Sequence, residues 1–292
     1  MKPHDIVVAV SVAVVWGLTF IAIKVGVAET SPLMLSALRF VFASFPAVLF
    51  VAPPKAPAWK VALYGLLLGV GQFGLLFIAI HAGFPVGLAS LVVQAQAFFT
   101  VALAWLLLAE YPQRTQILGG LVAFAGIAVI GSTRLAGASL LPFVLVVGAS
   151  FFWGSANVLA KTAGKVDMLA FTVWSSLAVP LPLLALSLAL DGTGPLIALA
   201  HPSWRLVASV LVVAYAGTLF GFGLWARLLA HYSAATVAPF ALLVPVVGMV
   251  AGVVVFDEPV SPVELAGGVL VMAGLALNVF GGRTLRRALS SR

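Results

Sequence analysis

The chain has no cysteine and very little charge, with eight acidic and fifteen basic residues among 292. The first absence excludes disulfides and thiolate metal sites. The second excludes more. Charged residues make up 8% of the chain, against roughly 25% in soluble domains. A water-soluble fold of this length could not cover its surface with so few, so the solvent is lipid. Acid is also missing from the middle of every apolar run: Glu110, Asp257 and Glu258 all sit at run ends. A carboxylate relay of the kind used by many proton-coupled carriers therefore has no component. There is no His-Glu-x-x-His, no Ser/His/Asp set at one membrane face and no phosphate-cradling Gly-Lys-Ser/Thr. These absences argue against hydrolytic metal chemistry, direct ATP use and enzymatic activity in general. No catalytic residue, metal ligand or cofactor is expected. The formal charge of +7 does not signal nucleic acid, because no basic cluster is interleaved with aromatics. Arg283, Arg286, Arg287 and Arg292 follow the last apolar run and read as a cytoplasmic tail beside anionic lipid.

What the chain has in abundance is apolar sequence, 63% of residues. Ten runs are long enough to cross a hydrocarbon core of about 30 Å: 6–23, 33–52, 61–80, 86–109, 115–133, 138–160, 168–190, 206–226, 232–256 and 265–282. They are continuous rather than alternating, which excludes strands. The first run resembles a signal peptide followed by Gly26-Val27-Ala28. Its 18 residues are long for that role, and it carries half of an internal repeat, so the segment is expected to be retained. Basic residues orient the set. With both ends inside, Lys2, Lys55, Lys60, Arg114, Lys161, Lys165, Arg227 and the four tail arginines are cytoplasmic, eleven against three (Lys24, Arg134, Arg205), with Arg39 left within a run. Both termini are expected in the cytoplasm.

The repeat is carried by Trp16-Gly17 with Lys24 eight residues after the tryptophan, echoed at Trp153-Gly154 and Lys161, 137 positions on. Gly65, Gly69 and Gly71 echo at Gly217, Gly221 and Gly223. Glu110, Gly119, Gly120 and Gly126 echo at Glu258, Gly267, Gly268 and Gly274. Five spans per copy is an odd number, so the second copy enters the membrane in the opposite sense. The expected fold is an all-α membrane protein: ten transmembrane helices as two inverted five-helix repeats, 1–134 and 135–292, around a central cavity. That is the usual scaffold for alternating access.

Ten helices in two halves, Trp-Gly in the first helix of each, and Glu110 or Glu258 followed by proline and a Gly-Gly helix resemble the EamA-type drug/metabolite transporters. Within that superfamily the chain is similar to the YddG-type exporters of aromatic amino acids. The resemblance implies a carrier of the bacterial inner membrane, with its cavity between the first, third, fourth, sixth, eighth and ninth helices. One departure is Ala97-Phe98 where the second half has Pro245, so bending at a proline is not expected to be symmetric.

Polar and aromatic residues left inside spans are the candidates for substrate contact: Trp16, Gln94, Gln96, Phe98, Phe99, Trp153, Asn157, Tyr215 and Trp225. Gln94 and Gln96 point about 200° apart on a regular helix, so only one should face a cavity squarely. Asn157 lies one turn beyond Trp153 on the same face. Tyr215 is deep in its span, so its hydroxyl needs a partner. Lys24 and Lys161 end their helices, where they either snorkel or close a mouth by pairing with a carboxylate. His81 caps its helix, and it is the group that would titrate if transport were proton-linked. Arg39 is expected to snorkel outward or pair with Glu29. The expected partners are the bilayer and a small amphipathic substrate, an aromatic amino acid or related metabolite, handled by a monomer that binds no nucleic acid. Other amino acids, nucleosides or cationic drugs are rival cargoes; a drug-cation carrier should show a buried carboxylate. A membrane enzyme or a structural subunit is the remaining rival.

Overall fold

The computed structural model describes residues 1–133, 140–164 and 166–290. Arg134, Lys165 and Arg292 of the charge reading lie outside the described residues, as does the expected boundary between 134 and 135. The side chains of Arg283, Arg286 and Arg287 also lie outside the description.

Among the described residues, ten helices are long and apolar enough to cross a membrane: α1 Pro3–Glu29, α2 Pro32–Leu49, α3 Ala58–His81, α4 Val86–Leu108, α5 Arg114–Ser132, α6 Leu140–Thr162, α7 Met168–Asp191, α8 Trp204–His231, α9 Ala238–Phe256 and α10 Pro262–Gly281. Their starts are written locally. Ser31 and Ser203 accept backbone N–H groups at the heads of α2 and α8 (3.3 and 3.0 Å). Asp167 accepts two at the head of α7, and Gln113 with Gln116 forms a capping box for α5. Each satisfies amides that lipid could not.

The two halves share distortions as well as helices. A π-helical stretch widens α3 at Leu66–Gly74 and α8 at Val212–Phe220. A 3₁₀ stretch breaks α4 at Val93–Ala95 and opens α9 at Ala238–Leu242. So both fourth helices are irregular, although Pro245 stands in only one. The turns after α4 and α9 match too, with Ala109 and Asp257 both left-handed (φ 55° and 49°). The π stretches correct one part of the repeat. They are offset by 146, which pairs Gly71 with Gly217 and Gln72 with Thr218, so the glycine echo from Gly65 is out of register.

Packing follows a twofold relation. A Cβ on Gly119 would lie 2.6 Å from the carbonyl oxygen of Gly274, and one on Gly126 would lie 2.5 Å from that of Gly267. These are mutual images under the 148-residue offset. They form a seam in which α5 and α10 touch backbone to backbone, as small-residue contacts in lipid do. The Trp-Gly pairs obey the same relation. A Cβ on Gly17 would lie 2.6 Å from Val247 Cβ, and one on Gly154 would lie 2.7 Å from Phe99 Cβ. In each half that glycine lets the first helix cross the fourth helix of the other half.

Side-chain bonds between helices sort their ends onto two faces. Tyr232 with Asp5 and Lys60 with Thr162 mark the face carrying the start of α1, hereafter the near face. His81 with Val27 and Ser203 with Glu29 mark the far face.

Candidate functional site

Between the halves lies a cavity of about 350 Å³, within the roughly 300–1,000 Å³ of small-molecule sites. Its wall comes from α1, α3, α4, α6, α8 and α9, and additionally from α2 through Arg39 and α7 through Met168. It reaches the near face at Met168 and Leu229. Along α1 its lining runs from Trp16 to Ile23, the residue before Lys24.

Trp16, Trp153 and Trp225 are brought together in this wall. The Trp16 indole donates to the Gly217 carbonyl at 2.8 Å and lies against Trp225 and Phe222 (ring centroids 5.2 and 5.4 Å). Both Gln94 and Gln96 line the cavity. The expectation that only one would face it fails because the 3₁₀ turn at Val93–Ala95 replaces the 100° step of an α-helix with about 120°. Asn157 joins them. Its Nδ2 donates to Gln96 Oε1 at 2.7 Å and to Thr100 Oγ1 at 3.1 Å, tying α6 to α4.

Three candidates are elsewhere. Phe98 is buried against Gly120 and Phe124. Phe99 packs edge-on to Phe124 and Phe151 at the α4–α6 crossing. Tyr215 faces outward, 36% exposed, because the π-helical turn rotates the inward face of α8 onto Gly217 and Thr218. His81 is not in the wall either; its Nδ1 sits 2.8 Å from the Val27 carbonyl oxygen, joining α3 to the end of α1.

The two lysines do find carboxylates. Lys24 Nζ pairs with Glu258 Oε1 at 2.7 Å and lies over the Phe256 ring. Glu258 is 8% exposed, and it also accepts the Val86 and Gly87 amides at 2.9 and 3.1 Å. The pair thus caps the N-terminus of α4, where carboxylate charge is favoured. Beside it α4 and α9 close tightly: a Cβ on Gly252 would lie 3.1 Å from the Gly87 nitrogen, and one on Gly248 would lie 2.5 Å from Ser90 Cβ. At the near face Lys161 pairs with Glu110, the image of the first pair, with both side chains about half exposed (46% and 50%).

Several lining residues escaped the sequence reading: Tyr64, Gln72, Phe73, Phe222 and above all Arg39. Arg39 neither snorkels nor meets Glu29, which instead accepts from Ser203 and lies 3.7 Å from Arg205. It is 4% exposed and held by Thr218 Oγ1. The visible signal was a lone cation inside an apolar run. Among the described residues no group of three or more His, Asp or Glu is placed to hold a metal.

The profile of the EamA-like transporter family matches residues 5–132 and again 140–280. The chain is 42% identical to a probable amino-acid metabolite efflux pump of Salmonella typhimurium, over 99% of both chains. It is 40% identical to the protein of that name in Escherichia coli K12, over 97% of both. An uncharacterized inner membrane transporter of Escherichia coli K12, YedA, is 27% identical over 89% of this chain and 86% of its own. A chain in a solved crystal structure shares the fold, with a TM-score of 0.63 at 17% identity, covering 95% of this chain and 98% of its own.

Proposed function

The chain belongs to the EamA-like transporter family, and from that premise we propose that it exports amino-acid metabolites, aromatic amino acids foremost, across the bacterial inner membrane by alternating access. One observation carries this reading. The cavity between the halves is walled by three indole rings and a few amides; on α1 its wall ends one residue before Lys24, whose partner Glu258 is buried, and at the near face the image of that pair stands exposed. Such a chamber takes an amphipathic solute whose apolar part stacks on rings. The efflux named for the relatives in Salmonella typhimurium and Escherichia coli supports the direction.

On this reading residues 1–134 and 135–292 are the two units that rock against each other, within a monomer. Trp16, Gln94, Gln96, Trp153, Asn157 and Trp225 contact substrate. Lys24 and Lys161 close the far and near mouths. The termini are cytoplasmic, as the basic residues favour, so the near face is the cytoplasmic, loading side of an exporter. The protein is a transporter and not an enzyme, and no sodium gradient drives it.

Uptake of labelled phenylalanine, threonine and ethidium into proteoliposomes tests the reading. We expect phenylalanine flux to exceed that of the other two, with or without a sodium gradient. Ethidium flux above phenylalanine flux, or a strict need for sodium, would contradict it.

A further inference from the structure

Arg39 stands in the chamber wall without a counter-charge. A guanidinium offers five N–H donors and stays charged. Here Nε and Nη2 both donate to one neutral oxygen, Thr218 Oγ1, at 3.3 and 3.1 Å. Nη1 makes no hydrogen bond among the described residues. The remaining contacts are ring faces, with Cζ 3.5 Å from the Phe73 centroid and 5.2 Å from that of Phe40. Thr218 in turn donates its proton to the Val213 carbonyl at 3.0 Å, which turns its lone pairs toward the guanidinium. A charge within a span costs roughly 2.5–3.5 kcal/mol on insertion scales, and protein interiors answer such charges with partners of opposite sign. Among the described residues no carboxylate lies within ion-pairing distance of Arg39. Glu29, at the end of the preceding helix, lies 3.7 Å from Arg205, and Glu258 pairs with Lys24.

The same wall contains a second unanswered group. Gln72 is 1% exposed and lines the chamber, and its Oε1 has no hydrogen-bond partner. A free donor set and a free acceptor on one wall match the two ends of a zwitterion.

We propose that Arg39, oriented by Thr218, receives the substrate's carboxylate at the closed, far end of the chamber, with Gln72 Oε1 accepting from the neighbouring ammonium. This deepens the amino-acid reading above and rests on it for the ammonium only. The cargo then binds head-first, its α-carboxylate on Arg39 and its side chain directed back toward Trp16, Trp153 and Trp225. A guanidinium fork bonds a carboxylate through two parallel hydrogen bonds, which a carboxamide cannot reproduce.

The test is binding to purified protein in detergent, read by tryptophan fluorescence. The ligands are phenylalanine against phenylalaninamide, and 3-phenylpropionate against its amide, in the native chain, Arg39→Gln and Arg39→Lys. Losing a charge-assisted hydrogen bond weakens binding by a factor of about ten to a hundred. We expect each acid to bind at least about tenfold tighter than its amide in the native chain. That ratio should fall to near one in Arg39→Gln and recover partly in Arg39→Lys. Equal binding of acid and amide by the native chain overturns the proposal without needing any variant to fold. So does a ratio that survives in a folded Arg39→Gln. If phenylpropionate binds with this dependence on Arg39 and phenylalanine does not bind, the amino-acid reading falls and the carboxylate receptor stands. If neither acid binds, the receptor falls too.

Discussion

The two mouths of the chamber are built from the same parts and stand in different states. At the far mouth Lys24 of the first half meets Glu258 of the second, buried and reinforced by the Val86 and Gly87 amides. At the near mouth Lys161 of the second half meets Glu110 of the first, and the pair is half exposed. The offset of 148 maps Val86 and Gly87 onto Ala234 and Ala235, just before α9, so on the proposed alternating-access reading the near carboxylate has two amides to cap in the opposite state. The chemistry of the two mouths is equal, and burial makes the difference. A buried pair whose carboxylate caps a helix resists opening, while an exposed pair is worth about 0–1 kcal/mol. One chain therefore holds a buried, amide-capped ion pair and an exposed copy of it.

The sharpest way to break this comparison is Glu258→Ala. Orphaning one partner of a buried pair costs roughly 3–5 kcal/mol, and less here because the lysine is partly exposed. Labelling of an Ile23→Cys reporter from the far face by an impermeant maleimide should rise about tenfold or more; unchanged labelling would show that the pair fastens nothing. A residue of the chamber should behave differently from either mouth. Trp153→Ala should lower transport by about tenfold through lost stacking and burial and leave that labelling alone, while Trp59→Ala, outside the chamber, does neither. Equal effects of the two tryptophans would count against the chamber. Gly252→Ala tests the fit beside the far pair. Its methyl would press on Glu258 Oε2 and the Gly87 backbone, whereas the counterpart, Ala104, already carries one. We expect labelling to rise about threefold, a shift near 0.7 kcal/mol, and Ala104→Gly to leave it unchanged. The smallest effect belongs to Glu110→Ala. Far-face labelling and thermal stability should hold to within about 1 kcal/mol, yet turnover should slow, because the near mouth then lacks its clasp in the opposite state. A large loss of stability would mean the two mouths are not alternates.

Much of this was legible in the chain. Uninterrupted apolar runs mark the ten helices because lipid tolerates little else. Lys24 and Lys161 at run ends offered a choice between snorkelling and pairing with a carboxylate, and both form pairs, with Glu258 and Glu110. Local breaks in periodicity hid the rest. Gln94 and Gln96 share the chamber through a 3₁₀ turn, and Tyr215 is turned outward by a π-helical one; neither is marked by any residue type. Phe98 and Phe99 were indistinguishable from chamber aromatics until Gly120 and Gly154 were seen to receive them. Arg39 was visible as a charge, but its destination depends on Thr218, 179 residues away.

The glycine seam between α5 and α10 has a consequence for the protein's ancestry. An interface in which Gly119 meets Gly274 while Gly126 meets Gly267 is isologous; two separate copies of a five-helix unit would make the same one as a homodimer. Joining them in a single chain replaces a concentration-dependent encounter with a tethered one and lets each copy drift by itself. The interior records that drift. Arg39 lies in the second helix of the first copy, and its opposite number, Met168–Asp191, contains no basic residue at all. A symmetric shell thus encloses a lopsided interior.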